Sequence, residues 1–125
     1  MRIKKQFPWL LWMLAIFTLS SIPGNRLPDE KVAFQDKWAH LAAYAVGGGL
    51  AVHAGFSPIK AFLVTSLYGA TDEMHQRFTP RRSCDIADWI ADMLGGLLGT
   101  ILTAYISKKR FASRYGKADA GDATI

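Results

Sequence analysis

The sequence predicts an all-α polytopic membrane protein, a compact bundle of about four transmembrane helices. Three observations carry this expectation. Half of the 125 residues are apolar, they fall in blocks rather than evenly, and the polar residues inside those blocks recur at helical spacing. A membrane-crossing helix needs roughly 20 mostly apolar residues, with a lower limit near 17, and several blocks approach that length.

The first block, residues 7–22, carries no charge and follows Arg2, Lys4 and Lys5. A basic start, an apolar stretch and the small residues Ser20 and Ser21 also describe a signal peptide. The cleavage site is a poor one and further apolar blocks follow, which favours retention as a first span. The second block, 38–56, is interrupted only by His40 and His53 and ends at the turn signal Gly55-Phe56-Ser57-Pro58. A third begins near Ile59, passes Tyr68 and runs into polar residues from Asp72 onward. The fourth, 86–106, holds Asp88 and Asp92 in its first half and stops at Lys108, Lys109 and Arg110. Beyond it there is too little apolar surface to fold. The expected division is a cytoplasmic N-terminus (1–6), a four-helix membrane domain (7–107) and a disordered cytoplasmic tail (108–125).

Orientation follows from Lys and Arg, which are in excess on cytoplasmic loops. Four spans put Arg2, Lys4, Lys5, Lys60, Lys108, Lys109, Arg110, Arg114 and Lys117 on one side, against Arg26, Lys31, Lys37, Arg77, Arg81 and Arg82 on the other. Both termini are therefore expected in the cytoplasm of a bacterial inner membrane, with the lipid bilayer as the first partner. The net charge of +5 is accounted for by this topology, and no nucleic-acid motif accompanies it. The single cysteine, Cys84, can form neither an intramolecular disulfide nor a cysteine-based metal site.

Polar residues form stripes on three helices. Asp36, His40, Tyr44 and Gly47 share a face of the second. Thr65, Gly69, Asp72 and Gln76 share one on the third, flanked by Glu73 and His75. Asp85, Asp88, Asp92, Gly95 and Gly99 share one on the fourth. The up-and-down topology brings all three polar ends to the outer side. Acids there are expected to face the bundle interior or a wet cavity, because a charge in contact with lipid is costly. Plainer roles compete: Asp85 as a helix N-cap, Asp88 as a first-turn acid favoured by the helix dipole, and Glu73 with Arg77 as a solvated pair. His53 stands apart as a packing residue. Gly95 and Gly99 make a G-x-x-x-G pair, and Gly47, Gly48 and Gly49 give the second helix a small-residue face. Trp9, Trp12, Trp38 and Trp89 lie near predicted helix ends, where indoles favour the membrane interface.

Asp36-Lys37-Trp38-Ala39-His40 with Tyr44, and Asp72-Glu73-Met74-His75-Gln76-Arg77-Phe78 followed by Pro80, Arg82, Asp85, Asp88 and Gly95, resemble the VanZ-like family of small bacterial membrane proteins. The resemblance covers about residues 36–99. The family commonly has Pro-Gly-Arg where this chain has Pro80-Arg81-Arg82, and often Asn in place of Asp92. It implies a four-helix membrane fold, and its founding member is associated with low-level teicoplanin resistance. It implies no reaction.

Two functions follow as expectations. In the first, a cluster of Asp36, Lys37, His40, Tyr44, Asp72, Glu73, Gln76, Arg82, Asp85, Asp88 and Asp92 on the outer side recognises an anionic lipid or a polyprenyl-linked cell-envelope precursor. A divalent cation on Asp72, Glu73 and Asp88 is the one cofactor considered, since oxygen ligands suit Mg²⁺ or Ca²⁺. In the second, the cluster only stabilises the bundle of a structural or adaptor protein, with His40 paired to Glu73 and Asp88 to Arg82. Ion movement through the acids would require oligomerisation. The chain has no phosphate-cradling glycine loop, G-x-S-x-G or complete histidine zinc motif, and turnover is left open.

Overall fold

The computed structural model describes residues 3–27 and 35–122, with side chains as far as Lys117. Arg2 and Lys31, counted in the charge tally, lie outside the described residues. Four α-helices, α1 (Ile3–Ser20), α2 (Gln35–His53), α3 (Pro58–Gln76) and α4 (Ile86–Asp122), follow one another with a single 3₁₀ turn at Gly24–Arg26. There is no strand among the described residues.

Each described boundary has a local cause. After α2, Gly55 takes φ +107°, and the amides of Gly55 and Phe56 reach back to the carbonyls of Val52 (3.0 Å) and Ala51 (3.2 Å). This is the Schellman arrangement that closes a helix on glycine. Ser57 then caps α3 and Pro58 opens it, where the missing proline N–H costs nothing. Asp85 caps α4, accepting from the Ala87 amide at 2.8 Å.

The helices pack through glycines. The most extensive contact is α2 on α4, with α3 against both and α1 laid across α2 and α3. A Cβ at Gly95 would stand 2.1 Å from the Leu41 carbonyl oxygen, and one at Gly99 1.8 Å from that of Ala45. The G-x-x-x-G pair therefore serves the α2–α4 contact within the chain. Gly47 receives the indole of Trp12, whose N–H donates to the Ala43 carbonyl at 2.9 Å. Trp12 is thus a core residue, and the Trp89 N–H donates to the Ser66 carbonyl at 3.0 Å. Trp12 lies mid-helix and buried, away from the helix-end placement expected for it, because its indole finds a backbone acceptor on a neighbouring helix; Trp89 stands near the start of α4. Trp38 lies near the start of α2 and is exposed.

Of the four helices, only α4 is long and apolar enough to cross a membrane by length and composition, over Ile86–Lys117. The other three fall short of the four spans anticipated: α2 carries Asp36 and Lys37, α3 carries Lys60, Asp72 and Glu73, and α1 begins with Lys4 and Lys5. The helix α4 also continues as far as Asp122, into the segment expected to be a disordered tail; residues 123–125 of that segment lie outside the described residues. There its described side chains are exposed, and the Phe111–Tyr115 ring contact, four residues apart with centroids at 4.3 Å, is of the kind that supports an isolated helix.

Candidate functional site

The N-terminal ends of α2 and α4 and the C-terminal ends of α1 and α3 meet at one end of the bundle, and most of the sequence-selected residues lie there. Their side chains sort into three groups.

The outer group surrounds Lys37. Its Nζ donates to Asp36 (2.8 Å), Asp85 (3.0 Å) and Asp88 (2.5 Å). Asp85 is both the α4 cap and part of this group; hydrogen bonds from Lys37 and the Ala87 amide hold its carboxyl below the usual carboxylate range. Asp88 therefore pairs with Lys37, whereas the structural expectation paired it with Arg82.

The inner group is His40, Glu73 and Asp92. His40 Nδ1 lies 2.7 Å from Asp92 Oδ1 and 4.0 Å from Glu73 Oε1, and its Nε2 lies 3.8 Å from Asp88 Oδ2. Asp92 is 0 % exposed and Glu73 3 %. Glu73 Oε2 accepts the Asp85 amide at 3.1 Å, filling the position that a capping-box glutamate ordinarily fills from its own helix. Glu73 Oε1 and Asp92 Oδ2 are buried with no hydrogen-bond partner. The plainer pairing of Glu73 with Arg77 is not formed among the described residues: Glu73 points inward and Arg77 is exposed. The expected His40–Glu73 pairing is present but longer than the His40–Asp92 contact.

The third group faces α1. Asp72 accepts a hydrogen bond from Ser20 and a long one, 3.5 Å, from Gln76. Adjacent on one helix, Asp72 and Glu73 diverge by about a quarter turn, so Asp72 meets α1 while Glu73 meets α4. The metal candidates Asp72, Glu73 and Asp88 are consequently split over three groups. The side chains whose donor atoms all lie within 4.8 Å of one another are His40, Glu73 and Asp92.

Arg82 serves the loop rather than the acids. Its guanidinium donates to the carbonyls of Ile22 (3.1 Å) and Leu19 (3.0 Å) at the end of α1, where a cation complements the helix dipole. Thr79 donates to the Ser20 carbonyl at 3.0 Å, and the Gly24 amide donates to Pro80 at 3.0 Å. Ser21 and His75 share a hydrogen bond of 3.0 Å, with Phe17 stacked on the imidazole. Sequence reasoning missed this clamp and the contribution of Ser20. The available signal was the spacing Trp12, Ile16, Ser20, which marks the buried face of α1.

Two clefts open onto this end. One, of about 170 Å³, is lined by Ser20, Ala43, Tyr44, Asp72 and Gln76, with Ile16 and Leu19 as an apolar wall. The other, of about 510 Å³, is lined by Asp36, Arg81, Ser83 and Asp88. His40, Gln76 and Arg82 border both. The surroundings are acidic and hydroxylic, with arginines on the rim.

Comparison with known proteins places this geometry in context. The family model described as VanZ/LLP1 matches residues 7–107. No curated protein and no solved structure matches the chain.

Proposed function

The chain belongs to the VanZ/LLP1 family, and on that premise we propose that it is a multi-pass bacterial inner-membrane protein whose outer-side clefts recognise the polar head group of an anionic lipid or a lipid-linked cell-envelope precursor. The observation that carries this reading is an inverted distribution of polarity. The largest fully buried side chains are Tyr44, Thr65, Thr100 and Asp92, while Phe7, Leu14, Leu67, Leu94, Ile101 and many other large apolar residues lie outside. Apolar surface on that scale is unfavourable in water, and lipid removes the penalty. Both termini are assigned to the cytoplasm. In support, Lys5, Arg110 and Arg114 line one cleft at the end opposite the acids, as a cytoplasmic face would have it.

The clefts suit a head group that is amphipathic and rich in oxygen. Ile16 and Leu19 offer an apolar wall to an acyl or prenyl chain, and Ser20, Asp72 and Gln76 offer hydrogen bonds to hydroxyls. Arg81 at the rim offers charge to a phosphate. One feature favours the alternative of a purely structural protein: Lys37 directs its three N–H donors to Asp36, Asp85 and Asp88, and Arg82 is partly engaged with the end of α1.

Native mass spectrometry in gentle detergent separates the two. Wild type retaining a defined phospholipid or polyprenyl species that the Asp72→Ala, Gln76→Ala variant loses, at unchanged thermal stability, supports recognition. Equal retention together with lowered stability supports the structural role.

A further inference from the structure

The acids outnumber the cations at this end, so an anionic head group would be repelled unless another positive charge intervened. The inner group shows where one fits. We propose that His40, Glu73 and Asp92 form a binding site for one divalent transition-metal ion, of the Zn²⁺ or Mn²⁺ class.

Three independent features converge on it. The donor atoms come from three different helices and lie within 4.8 Å of one another, near the spread that metal–ligand bonds of about 2.1 Å can gather. Glu73 and Asp92 each also hold a buried carboxylate oxygen left without a hydrogen bond, Oε1 and Oδ2 respectively. An unsatisfied buried acceptor costs about 1–3 kcal/mol, more when it is charged, and an ion supplies both with a partner. Finally, the surroundings orient the ligands as metal sites do. Glu73 is anchored through Oε2 by the Asp85 amide, and the far nitrogen of His40 faces Asp88 at 3.8 Å. Asp88 is in turn held by Lys37 at 2.5 Å. That carboxylate stands on the side of the imidazole where a ligating histidine's hydrogen-bond acceptor is found, at a separation longer than a hydrogen bond.

The charges balance as well. Two carboxylates and a neutral imidazole compensate a divalent ion. Imidazole with carboxylate selects Zn²⁺ or Mn²⁺ over Mg²⁺ and Ca²⁺, which favour all-oxygen sets. Three protein ligands leave a coordination position open. His40 borders both clefts, so that position is within reach of a bound phosphate oxygen; this last role rests on the head-group reading, and the metal site does not.

The test uses the full chain in detergent without added lipid, stripped with chelator and then titrated with Zn²⁺ or Mn²⁺ alone. Expected is one ion per chain, with affinity lowered at least tenfold by Glu73→Gln and by Asp92→Asn and changed less than threefold by His53→Gln, an exposed imidazole at the other end of α2. Mn²⁺ bound to wild type should show a single directly coordinated imidazole nitrogen by pulsed electron paramagnetic resonance, a readout that needs no variant to fold. Absence of stoichiometric binding, a signal with no nitrogen, or equal loss in His53→Gln would overturn the proposal. Metal binding without lipid retention would refute the head-group reading alone.

Discussion

Replacing Gly99 with alanine puts the α2–α4 contact to a quantitative test. The added methyl would lie 1.8 Å from the Ala45 carbonyl oxygen, 2.6 Å from its carbon and 2.8 Å from Ala45 Cα. Carbon–oxygen contacts settle near 3.3 Å, so the helices must part by about 1.5 Å. All three obstructing atoms are backbone, and no rotamer change relieves them. Alanine gains about 1 kcal/mol of helix propensity over glycine. Overpacking typically costs about 1–3 kcal/mol, and the rigid obstacle places this site at or above the top of that range. The expected net loss is about 2 kcal/mol, or roughly 10 °C in apparent Tm for a chain of this size, read by thermal unfolding in detergent. Gly116→Ala is the matched control: it lies on the same helix with nothing within 4 Å of the new Cβ, and only the propensity gain remains. If both variants melt at or above the wild-type temperature, α2 and α4 do not approach as described.

Three further outcomes are expected. Arg81 holds φ +58°, a left-handed conformation costing a residue with a side chain about 1–2 kcal/mol; Arg81→Gly should therefore be more stable than Arg81→Ala by about 1 kcal/mol in the same unfolding assay, and equal stability would mean the turn relaxes. Cys84 is exposed and the chain has no other cysteine, so a membrane-impermeant maleimide should label it in intact spheroplasts, whereas labelling only after lysis would reverse the proposed orientation. Because Lys37 and the Ala87 amide depress the Asp85 pKa, its charge stabilises the fold above the unfolded value of about 3.9 and that contribution disappears as pH falls through the lower folded value. The Asp85→Asn variant keeps a good cap, so its Tm deficit should be present at pH 7 and shrink below about pH 4; a deficit independent of pH would refute the assignment.

Periodicity made much of this architecture legible. The stripes on α2, α3 and α4 were readable because residues three and four apart share a helix face, and Tyr44, Gly69, Asp72, Gln76, Asp88 and Asp92 are all buried. What periodicity does not contain is the partner across the gap. Lys37 was visible as a cation near acids, but its three carboxylates come from α2, the α4 cap and the first turn of α4, a choice set by helix rotation. Arg82 illustrates the same limit in a loop. Its sequence neighbours suggest a bond to Asp88, yet its guanidinium takes the carbonyls of Leu19 and Ile22 at and just past the end of α1, where the regular helical hydrogen bonding runs out. The membrane-interface preference of tryptophan is likewise a tendency of composition, and at Trp12 a glycine on the facing helix outweighs it.

The glycines at Gly95 and Gly69 shape the backbone around the site. His40 and Asp92 stand 2.7 Å apart across α2 and α4. The next residue after His40 is Leu41, and its carbonyl would be struck by any Cβ at Gly95, three residues past Asp92. The glycine contact therefore lies within one turn of both ligands and sets the distance between them. On the third side, a Cβ at Gly69 would come within 3.2 Å of Asp92 Oδ2, the atom left without a partner. Absent side chains at Gly95 and Gly69 thus let three helices bring Asp92 and its neighbours together. If this coupling holds, Gly95→Ala should weaken Zn²⁺ or Mn²⁺ binding at temperatures where the variant is still folded, and Gly99→Ala, one turn farther from the ligands, should weaken it less for a comparable loss of Tm. Equal metal affinity in Gly95→Ala and wild type would show that the ligands adjust independently of the helix spacing.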